Sequence, residues 1–353
     1  MKRRDFITKG TVSALALGTV GCSSLKRYKF EPEYAGMTWG MQSLRRPSTG
    51  SMPMGEIGTT GIKVSRFCFG SHMPIEAVPF ERFRQKLIRD AYSCGINFFD
   101  VYDEGQDAYQ YEPMGRHLAP MINDVVISIV HRPYNGRTSE EEMERVLRLF
   151  GRDYIDLVRG RGTVNSPVWD TLFRFKEKGH IRAIGMSTHE YEGILPYIDK
   201  LPLDYLLFPY NFYGNKAMAG DPPDDFGPLI KKLREKGMGV LIMKAFSGDY
   251  LATPFNRIAL QITGRGGPSF TPAALRYILN SGINADAIYT GMYTYAHLNQ
   301  NLTAFYNTGM SDEERNLLSK LRGIAEKHAE AWLPEHYKWL VKWAPDKKNP
   351  VIV

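Results

Sequence analysis

Side chains that carry charge or exchange protons gather in one stretch of this chain. They include a carboxylate, Asp100, a phenol, Tyr102, an imidazole, His131, and a guanidinium, Arg161. A phenol or an imidazole can act as a general acid when burial and a cationic neighbour tune its pKa. A carboxylate beside an arginine forms a strong, oriented ion pair. These residue types predict a site that moves protons to or from a small-molecule substrate.

Each of these residues also has a purely structural interpretation. A salt bridge to Asp100 or Asp103 would explain Arg161, since a charged arginine is costly to bury without a partner. His131 would then be a hydrogen-bonded structural histidine, and Tyr102 would pack inside the fold. Further polar residues of the same kind follow other strands, namely Tyr109, Arg159 and His189. Either a ligand or a helix cap would account for the last of these.

The elements that must position these residues are eight short, mostly apolar segments that alternate with helical patterns. Near-continuous apolar runs are typical of parallel strands that are buried on both faces. The predicted strands are Ser65–Gly70, Asn97–Tyr102, Val125–Val130, Ile155–Arg159, Arg182–Ser187, Tyr205–Pro209, Val240–Phe246 and Ala287–Gly291. The pattern predicts a closed (β/α)8 TIM barrel of the α/β class, with an N-terminal hairpin and C-terminal helices.

A barrel of this kind carries its site at the C-terminal ends of its strands. Asp100, Tyr102, His131 and Arg161 all fall at the ends of the second, third and fourth predicted strands. We therefore expect these four side chains to face one cavity.

The chain divides into four parts along its length. Residues 1–22 are predicted to be a signal, residues 23–51 a linker, residues 52–310 the barrel and residues 311–353 a C-terminal helical extension. The linker is rich in serine, proline, glycine and arginine, which favours an irregular segment.

The first 22 residues resemble a twin-arginine export signal. Arg3 and Arg4 precede an apolar residue and then a short, weakly hydrophobic run from Gly10 to Gly21. Cys22 follows a glycine, as at a lipoprotein cleavage site, so lipidation there would attach the protein to a membrane facing the periplasm. Cleavage by signal peptidase I is the alternative, and it would release a periplasmic protein.

Composition argues against several other classes of function. Residues 1–51 have nine basic and three acidic side chains, whereas the remaining 302 residues have 36 and 35. The basic charge thus lies in the N-terminus, which argues against a nucleic-acid groove on the folded part. The three cysteines form no CxxC pair. We therefore expect no metal site and no iron–sulfur cluster.

Six motifs, in barrel order, resemble those of the aldo/keto reductases over residues 52–310. They are the hairpin Met52–Ser65, Gly95–Asp100, Asp153–Leu157, Gly179–Ser187, Pro209–Asn211, and Met243-Lys244 together with Gly291-Met292. The last of these is similar to a subgroup that often carries C-terminal iron–sulfur clusters. No cluster cysteines follow it here, so the resemblance implies no cluster.

The resemblance implies reduction of a carbonyl by four residues, most of which have changed in this chain. Asp100 matches the family's aspartate. Gly105 stands where the proton-donating tyrosine is expected, Val130 where the lysine is expected, and Arg161 where the histidine is expected. Tyr102 and His131 are the nearby substitutes for the proton donor.

The resemblance also implies a bound NADP or NAD, held by residues that are partly retained. The matching positions are Ser187, Thr188, Tyr210, Lys244, Gly291 and Asn301. Ser187 and Thr188 match the pair that bonds the nicotinamide amide, Tyr210 is available to stack, and Asn301 matches a contact to adenine. Leu207 replaces the family's glutamine and cannot make its hydrogen bond.

Two functions of different class are therefore open. The first is an NAD(P)-linked oxidoreductase that acts on a carbonyl or sugar-like small molecule through a non-standard site. The second is a non-catalytic, ligand-binding barrel in the cell envelope, which the missing tyrosine, lysine and glutamine favour.

Overall fold

The computed structural model describes residues 43–70, 81–101, 111–191, 193–214, 226–246, 252–292 and 294–332. The expected export segment with Cys22, most of the linker, Tyr102 and Gly105 lie outside these ranges. Within them, no helix combines the length and the apolar character that a membrane crossing requires.

Ten strands are present in the described part of the chain. They are β1 Met54–Glu56, β2 Lys63–Ser65, β3 Phe67–Gly70, β4 Phe98–Val101, β5 Val126–Val130, β6 Ile155–Gly160, β7 Ile181–Ser187, β8 Tyr205–Pro209, β9 Gly239–Met243 and β10 Ala287–Gly291. Strands β3 to β10 form a closed barrel in chain order, with β10 beside β3 and every pair parallel.

Helices surround this barrel. They are α1 Glu81–Ser93, α2 Tyr111–Leu118, α3 Ser139–Phe150, α4 Val168–Glu177, α5 Leu195–Lys200, α6 Gly227–Glu235, α7 Ala252–Thr263, α8 Phe270–Leu279, α9 Tyr295–Tyr306 and α10 Asp312–Trp332. The predicted (β/α)8 barrel is confirmed, and each of the eight predicted strands corresponds to a strand from β3 to β10.

The seventh strand is shorter than predicted, because it ends at Met243 and not at Phe246. Lys244 has a φ of +59°, in the left-handed region. A residue with a side chain rarely adopts this conformation, and it cannot continue a strand. The turn at Lys244 therefore ends β9 three residues early.

Side chains alternate between two cores along each strand. The inner core fills the barrel and includes Phe98, Val126, Leu157 and Leu207. Their chain neighbours point outward and pack under the helices. Since the period of a strand is two, this alternation fixes which residues at the strand ends can enter the barrel.

The N-terminal hairpin β1–β2 closes the lower end of the barrel. Ile57, Ile62 and Val64 are buried and belong to the inner core. Beside the hairpin, the Asp286 carboxylate accepts hydrogen bonds from the backbone N–H groups of Gly58 at 3.0 Å and Val240 at 2.9 Å. The same carboxylate pairs with Arg234 on α6, so the hairpin, β9 and α6 share one anion.

One close approach of a helix to the barrel involves Gly160, the last residue of β6. A Cβ atom at this position would lie 2.3 Å from the ring of Trp169 on α4, which is too close for any side chain. The indole N–H of Trp169 donates to the backbone oxygen of Thr163 at 2.9 Å. The glycine thus lets the indole ring lie directly against the strand.

Candidate active site

A buried ion pair occupies the centre of the barrel near its C-terminal end. Arg159 on β6 donates to both carboxylate oxygens of Asp100 on β4, with Nη1–Oδ1 at 2.6 Å and Nη2–Oδ2 at 3.1 Å. Both residues are largely buried, at 3% and 9% exposure. Fork-shaped pairing of this kind fixes the geometry of both groups. Asp100 therefore has a cationic partner from β6, whereas the resemblance implied a lysine at the position of Val130 on β5.

The strand between them supplies a third member of this cluster. Ser128 on β5 accepts a hydrogen bond from Arg159 Nη1 at 2.7 Å and one from the Tyr289 hydroxyl at 3.2 Å. Burial alone would lower the pKa of Arg159, but the Asp100 carboxylate outweighs burial and the pKa is raised. Arg159 is therefore a permanent cation in the barrel.

The other titratable groups of the cluster hold their protons firmly. Burial, together with the charge of Asp100, raises the pKa of the Cys68 thiol well above its usual range. Burial and the neighbouring Cys68 and Asp100 do the same for the Tyr289 phenol. A phenol with a raised pKa is a weak acid at neutral pH, so Tyr289 is suited to holding Ser128 in place and poorly suited to donating a proton.

Three groups that can carry positive charge lie near one another above this cluster. They are Arg161 just after β6, His189 just after β7 and Lys244 just after β9. Burial lowers the pKa of His189 well below its usual value, and the charges of Lys244 and Arg161 lower it further. His189 is therefore neutral at pH 7, beside two cations.

Both oxygens of the Asp100 carboxylate are bonded by Arg159, and Asp103, the other partner considered for Arg161, lies outside the described residues. Arg161 follows Gly160, the last residue of β6, so it lies just beyond the strand that carries Arg159. The structure brings Asp100 together with the earlier arginine because that residue lies deeper in the barrel. Tyr102, the fourth predicted catalytic residue, lies outside the described residues.

The expectation that His131 faces the same cavity as Asp100 is corrected by the structure. His131 follows the outward-facing Ile127 and Ile129, and its Nε2 lies 2.5 Å from the hydroxyl of Ser139 at the start of α3. Burial lowers the pKa of His131 to about 4. His131 lies one residue away from the inward-facing position along the strand, and a shift of one residue reverses the direction of a side chain.

Tyr210 also lies in the outer layer, where its ring packs on other aromatic rings. It is 8% exposed and follows Phe208, which faces the helices. Its ring stacks on Tyr277 of α8, with centroids 6.0 Å apart, and meets Phe226 edge to face at 5.7 Å. Both aromatic contacts are structural, so the stacking expected of Tyr210 is corrected.

The predicted amide-binding pair lies at the end of β7 in the upper part of the barrel. Ser187 and Thr188 are buried, at 4% and 5% exposure. The Thr188 hydroxyl accepts a hydrogen bond from the backbone N–H of Glu190 at 3.0 Å, which occupies part of its bonding capacity. Leu207, on the neighbouring β8, is buried in the inner core and offers no hydrogen bond.

A cleft opens beside β10, between three helices. It is lined by Phe246, Ala252, Asn256, Thr271, Gly291, His297, Gln300 and Asn301. Two of the predicted cofactor residues, Gly291 and Asn301, thus lie in one cleft. Asn256 and Thr271 bond to each other there, with Nδ2–Oγ1 at 2.9 Å.

Asn301 has an atom in this cleft that the fold leaves unsatisfied. Its Nδ2 is 3.4 Å from the hydroxyl of Thr290, but its Oδ1 is buried and has no hydrogen-bond partner among the described residues. A buried acceptor without a donor costs about 1–3 kcal/mol. A ligand that brings a donor to this oxygen would recover that free energy.

Sequence reasoning gave too little weight to Arg159 and overlooked the lining residues Asn256, Thr271 and His297. Strict alternation from Leu157 in the inner core would have placed Arg159 inside the barrel, two strands from Asp100. No such signal exists for the cleft, because its walls come from three separate helices. In the described part of the chain, no three His, Cys, Asp or Glu side chains are grouped as metal ligands.

Comparison with known proteins agrees with this architecture. The sequence profile of the Aldo/keto reductase family matches residues 68–323. The holo form of the aldo-keto reductase AKR11C1 from Bacillus halodurans is 19% identical, with a TM-score of 0.60, over 81% of this chain and 99% of that chain. A Pseudomonas aeruginosa protein named as an aldo-keto reductase is 20% identical, with a TM-score of 0.54, over 73% of this chain and 97% of that one.

At such identities the solved structures support the fold alone, whereas the family match covers most of the chain. The match includes β4 with Asp100, β6 with Arg159, Arg161 just after it, and α9 with Asn301. It covers every motif that carried the resemblance except the hairpin Met52–Ser65. The chain belongs to the aldo/keto reductase family.

Proposed function

We propose that this chain is an oxidoreductase that binds NAD or NADP and acts on a carbonyl or sugar-like small molecule through a rearranged site. The observation that carries the proposal is the unsatisfied Asn301 Oδ1 in the cleft beside Gly291. An adenine amino group is a donor of the kind that this oxygen lacks. Binding there would place the rest of a dinucleotide toward the mouth of the barrel, where Ser187 lies.

The residues fit the two ends of such a cofactor unequally. Asn301 and Gly291 suit the adenosine end. At the nicotinamide end, Ser187 remains, Thr188 is partly used by Glu190, and Leu207 contributes nothing. A bound nicotinamide would supply the hydride that reduces a carbonyl.

The remaining chemistry falls to the residues of this chain. The Asp100–Arg159 pair replaces the family's aspartate–lysine pair and keeps a fixed positive charge beneath the substrate position. Arginine does not release its proton at physiological pH, so it can stabilise a developing alkoxide but cannot protonate it. We propose Tyr102 as the proton donor, with Arg161 as its cationic neighbour.

Turnover of ordinary test aldehydes should be slow if this proposal is correct. Val130 is apolar and buried where the lysine would lower the pKa of a tyrosine. Loss of general acid catalysis lowers a rate by about 10²- to 10⁴-fold. We expect no detectable oxidation of NADPH with simple aldehydes, measured by absorbance. Turnover near 1 per second, a rate ordinary for enzymes, would contradict this view of the site.

The test of cofactor binding is mass spectrometry of the purified native protein, followed by titration with NAD⁺ and NADP⁺. A bound dinucleotide, or quenching of protein fluorescence that saturates, is the expected result. The second candidate function, a ligand-binding barrel, is favoured by the apolar Val130 and Leu207. Absence of both bound nucleotide and saturable quenching would contradict the first candidate and favour the second.

We further propose that the protein is exported through the twin-arginine route. The support is Arg3-Arg4 with the apolar run to Gly21. Replacing both arginines with lysine should retain the protein in the cytoplasm on cell fractionation, and an unchanged distribution would contradict export. Cys22→Ala tests lipidation separately, because it should release the exported protein from the membrane fraction.

A further inference from the structure

The residues that line the cleft beside β10 carry no fixed charge, which is unusual for a site that would bind a nucleotide. Its eight lining residues include no Lys, Arg, Asp or Glu, and His297 is the one whose side chain could gain a charge. The polar lining is otherwise amide and hydroxyl, from Asn256, Thr271, Gln300 and Asn301. The cleft thus offers hydrogen bonds but no fixed cation from the described residues.

Two cations of the surrounding helix layer, Arg276 and Lys86, are engaged elsewhere. Arg276 on α8 pairs with Glu314 on α10 and donates to the backbone oxygens of Asn307 at 2.7 Å and Thr303 at 2.9 Å. Lys86 on α1 bonds to Asp90 at 2.6 Å. These contacts hold both side chains in the helix layer.

Helix α9 also presents its N-terminus near this cleft, and an N-terminus can attract an anion. The hydroxyl of its N-cap residue, Thr294, accepts from the backbone N–H of His297 at 3.1 Å. The cap therefore uses one of the donors that a phosphate would need. A dipole alone is worth less than about 1 kcal/mol at an exposed site.

A phosphate on the ribose 2′ oxygen differs sharply from a hydroxyl in what it requires. A phosphomonoester carries about 1.5–2 negative charges at pH 7, and recognition normally uses arginine or lysine. Placing such a charge against neutral walls is unfavourable. A 2′-hydroxyl both donates and accepts, so amide and hydroxyl side chains satisfy it fully.

We propose that the cleft selects the adenosine half of NAD(H), with a free 2′-hydroxyl, and discriminates against NADP(H). This inference rests on the proposed function, since it concerns the same cofactor. The neutral lining around Gln300 and His297 is the determinant of this selectivity.

The first experiment measures binding of four ligands to the purified protein by calorimetry at roughly 0.15 M salt, near physiological screening. They are NAD⁺, NADP⁺, ADP-ribose and 2′-phospho-ADP-ribose. We expect NAD⁺ and ADP-ribose to bind at least tenfold more tightly than their phosphorylated counterparts. The two ADP-ribose ligands isolate the adenosine half, so no turnover is needed.

The outcomes separate the two proposals. Binding of NAD⁺ and NADP⁺ within threefold of each other, or tighter binding of NADP⁺, overturns the selectivity and leaves the proposed function intact. In that case a cation outside the lining, such as Arg257 on α7, would be the one to test. If none of the four ligands binds, both the proposed function and the selectivity fail.

A designed variant tests the determinant directly. Gln300→Arg places a cation on the wall of the cleft, and Gln300→Met is the matched control of similar length without charge. We expect the arginine variant to bind NADP⁺ at least tenfold more tightly than the parent, so that the ratio of NADP⁺ to NAD⁺ affinity rises at least tenfold. An equal change in the arginine and methionine variants would overturn the role assigned to the neutral lining.

Discussion

The two ends of the barrel treat their buried polar groups differently. At the N-terminal end, the Asp156 carboxylate accepts from Arg152 at 2.9 Å, from Arg182 at 2.6 Å and from the backbone N–H of Ile127 at 2.9 Å. Asp286 at the same end has a similar set of donors. These carboxylates join strands, helices and the hairpin, and their hydrogen-bonding capacity is well used.

The C-terminal end leaves several buried atoms unsatisfied in the described part of the chain. They are Asn301 Oδ1, Arg159 Nε and His131 Nδ1. An unsatisfied buried group is a cost that folding alone gives no reason to keep. The lower end thus uses its buried carboxylates to join elements, whereas the upper end, where barrel sites form, leaves these buried polar atoms without a partner among the described residues.

The largest expected effect lies at the stable end. Asp156→Asn removes a charge that is 1% exposed and leaves Arg152, 5% exposed, without its partner. Breaking a buried pair in this way costs about 3–5 kcal/mol of unfolding free energy. Urea denaturation followed by circular dichroism measures the loss.

The matched control for Asp156 is Glu112→Gln, which breaks an exposed pair with Arg116. Exposed pairs of this kind are worth less than about 1 kcal/mol. If the two variants lost similar amounts of stability, the lower end of the barrel would not depend on its buried carboxylates as described.

An intermediate effect is expected from His131 as a function of pH. Its folded-state pKa is about 4, below the ordinary 6.5, because it is buried. As the pH falls, His131 therefore binds a proton in the unfolded chain before it does so in the folded protein. Its contribution to stability is complete above pH 6.5 and is lost as the pH falls through about 4, up to about 3 kcal/mol in total.

His131→Gln should flatten this dependence, because glutamine can still bond to Ser139 but does not titrate. The measurement is the midpoint of urea unfolding for the variant and the parent between pH 7 and pH 4. Carboxylates titrate in both proteins, so only the difference between the two curves matters. Parallel curves would mean that His131 is not held neutral by the fold.

The smallest expected effect concerns the cleft. Asn301→Leu removes the unsatisfied oxygen and keeps the volume of the side chain, so the unfolding free energy should change by less than about 1 kcal/mol. Affinity for NAD⁺ should fall about tenfold, because one hydrogen bond of about 1.4 kcal/mol is lost. Calorimetry and urea denaturation on the same sample give both quantities.

Asn280→Leu is the reciprocal control. Its amide donates to the backbone oxygens of Arg276 at 2.8 Å and Thr308 at 2.7 Å, and it is not part of the cleft. This variant should lose stability and keep its affinity. If both variants lost stability and kept their affinity for NAD⁺, Asn301 would be a structural residue. The contrast between the two ends of the barrel would then not apply to Asn301.

The barrel could be predicted from the sequence because its signal repeats. Eight apolar runs separated by helical patterns admit few other architectures, and Tyr205–Pro209 and Ala287–Gly291 were predicted to the residue. The end of β9 was missed because nothing in the sequence marks Lys244 as left-handed, a conformation more usual for glycine.

The site could be predicted only in part, for a different physical reason. Asp100 and Asn301 follow from motifs, since each occupies a fixed position on one element. His131 and Tyr210 were misplaced because direction at a strand end depends on parity, and one residue reverses it. The Asp100–Arg159 pair joins β4 to β6, and alternation places both residues inside the barrel, but no local pattern says that they pair with each other.

Gly160 links the positions of the two arginines of the site. It separates Arg159 from Arg161, and its missing side chain is the space that the Trp169 ring fills. A mutation to alanine would push α4 away or twist β6, and either movement would displace both guanidinium groups at once. A side chain at position 160 would fit only if the residue at position 169 were smaller than tryptophan. Because positions 160 and 169 are in direct contact, we expect the effects of substitutions at the two positions to be non-additive.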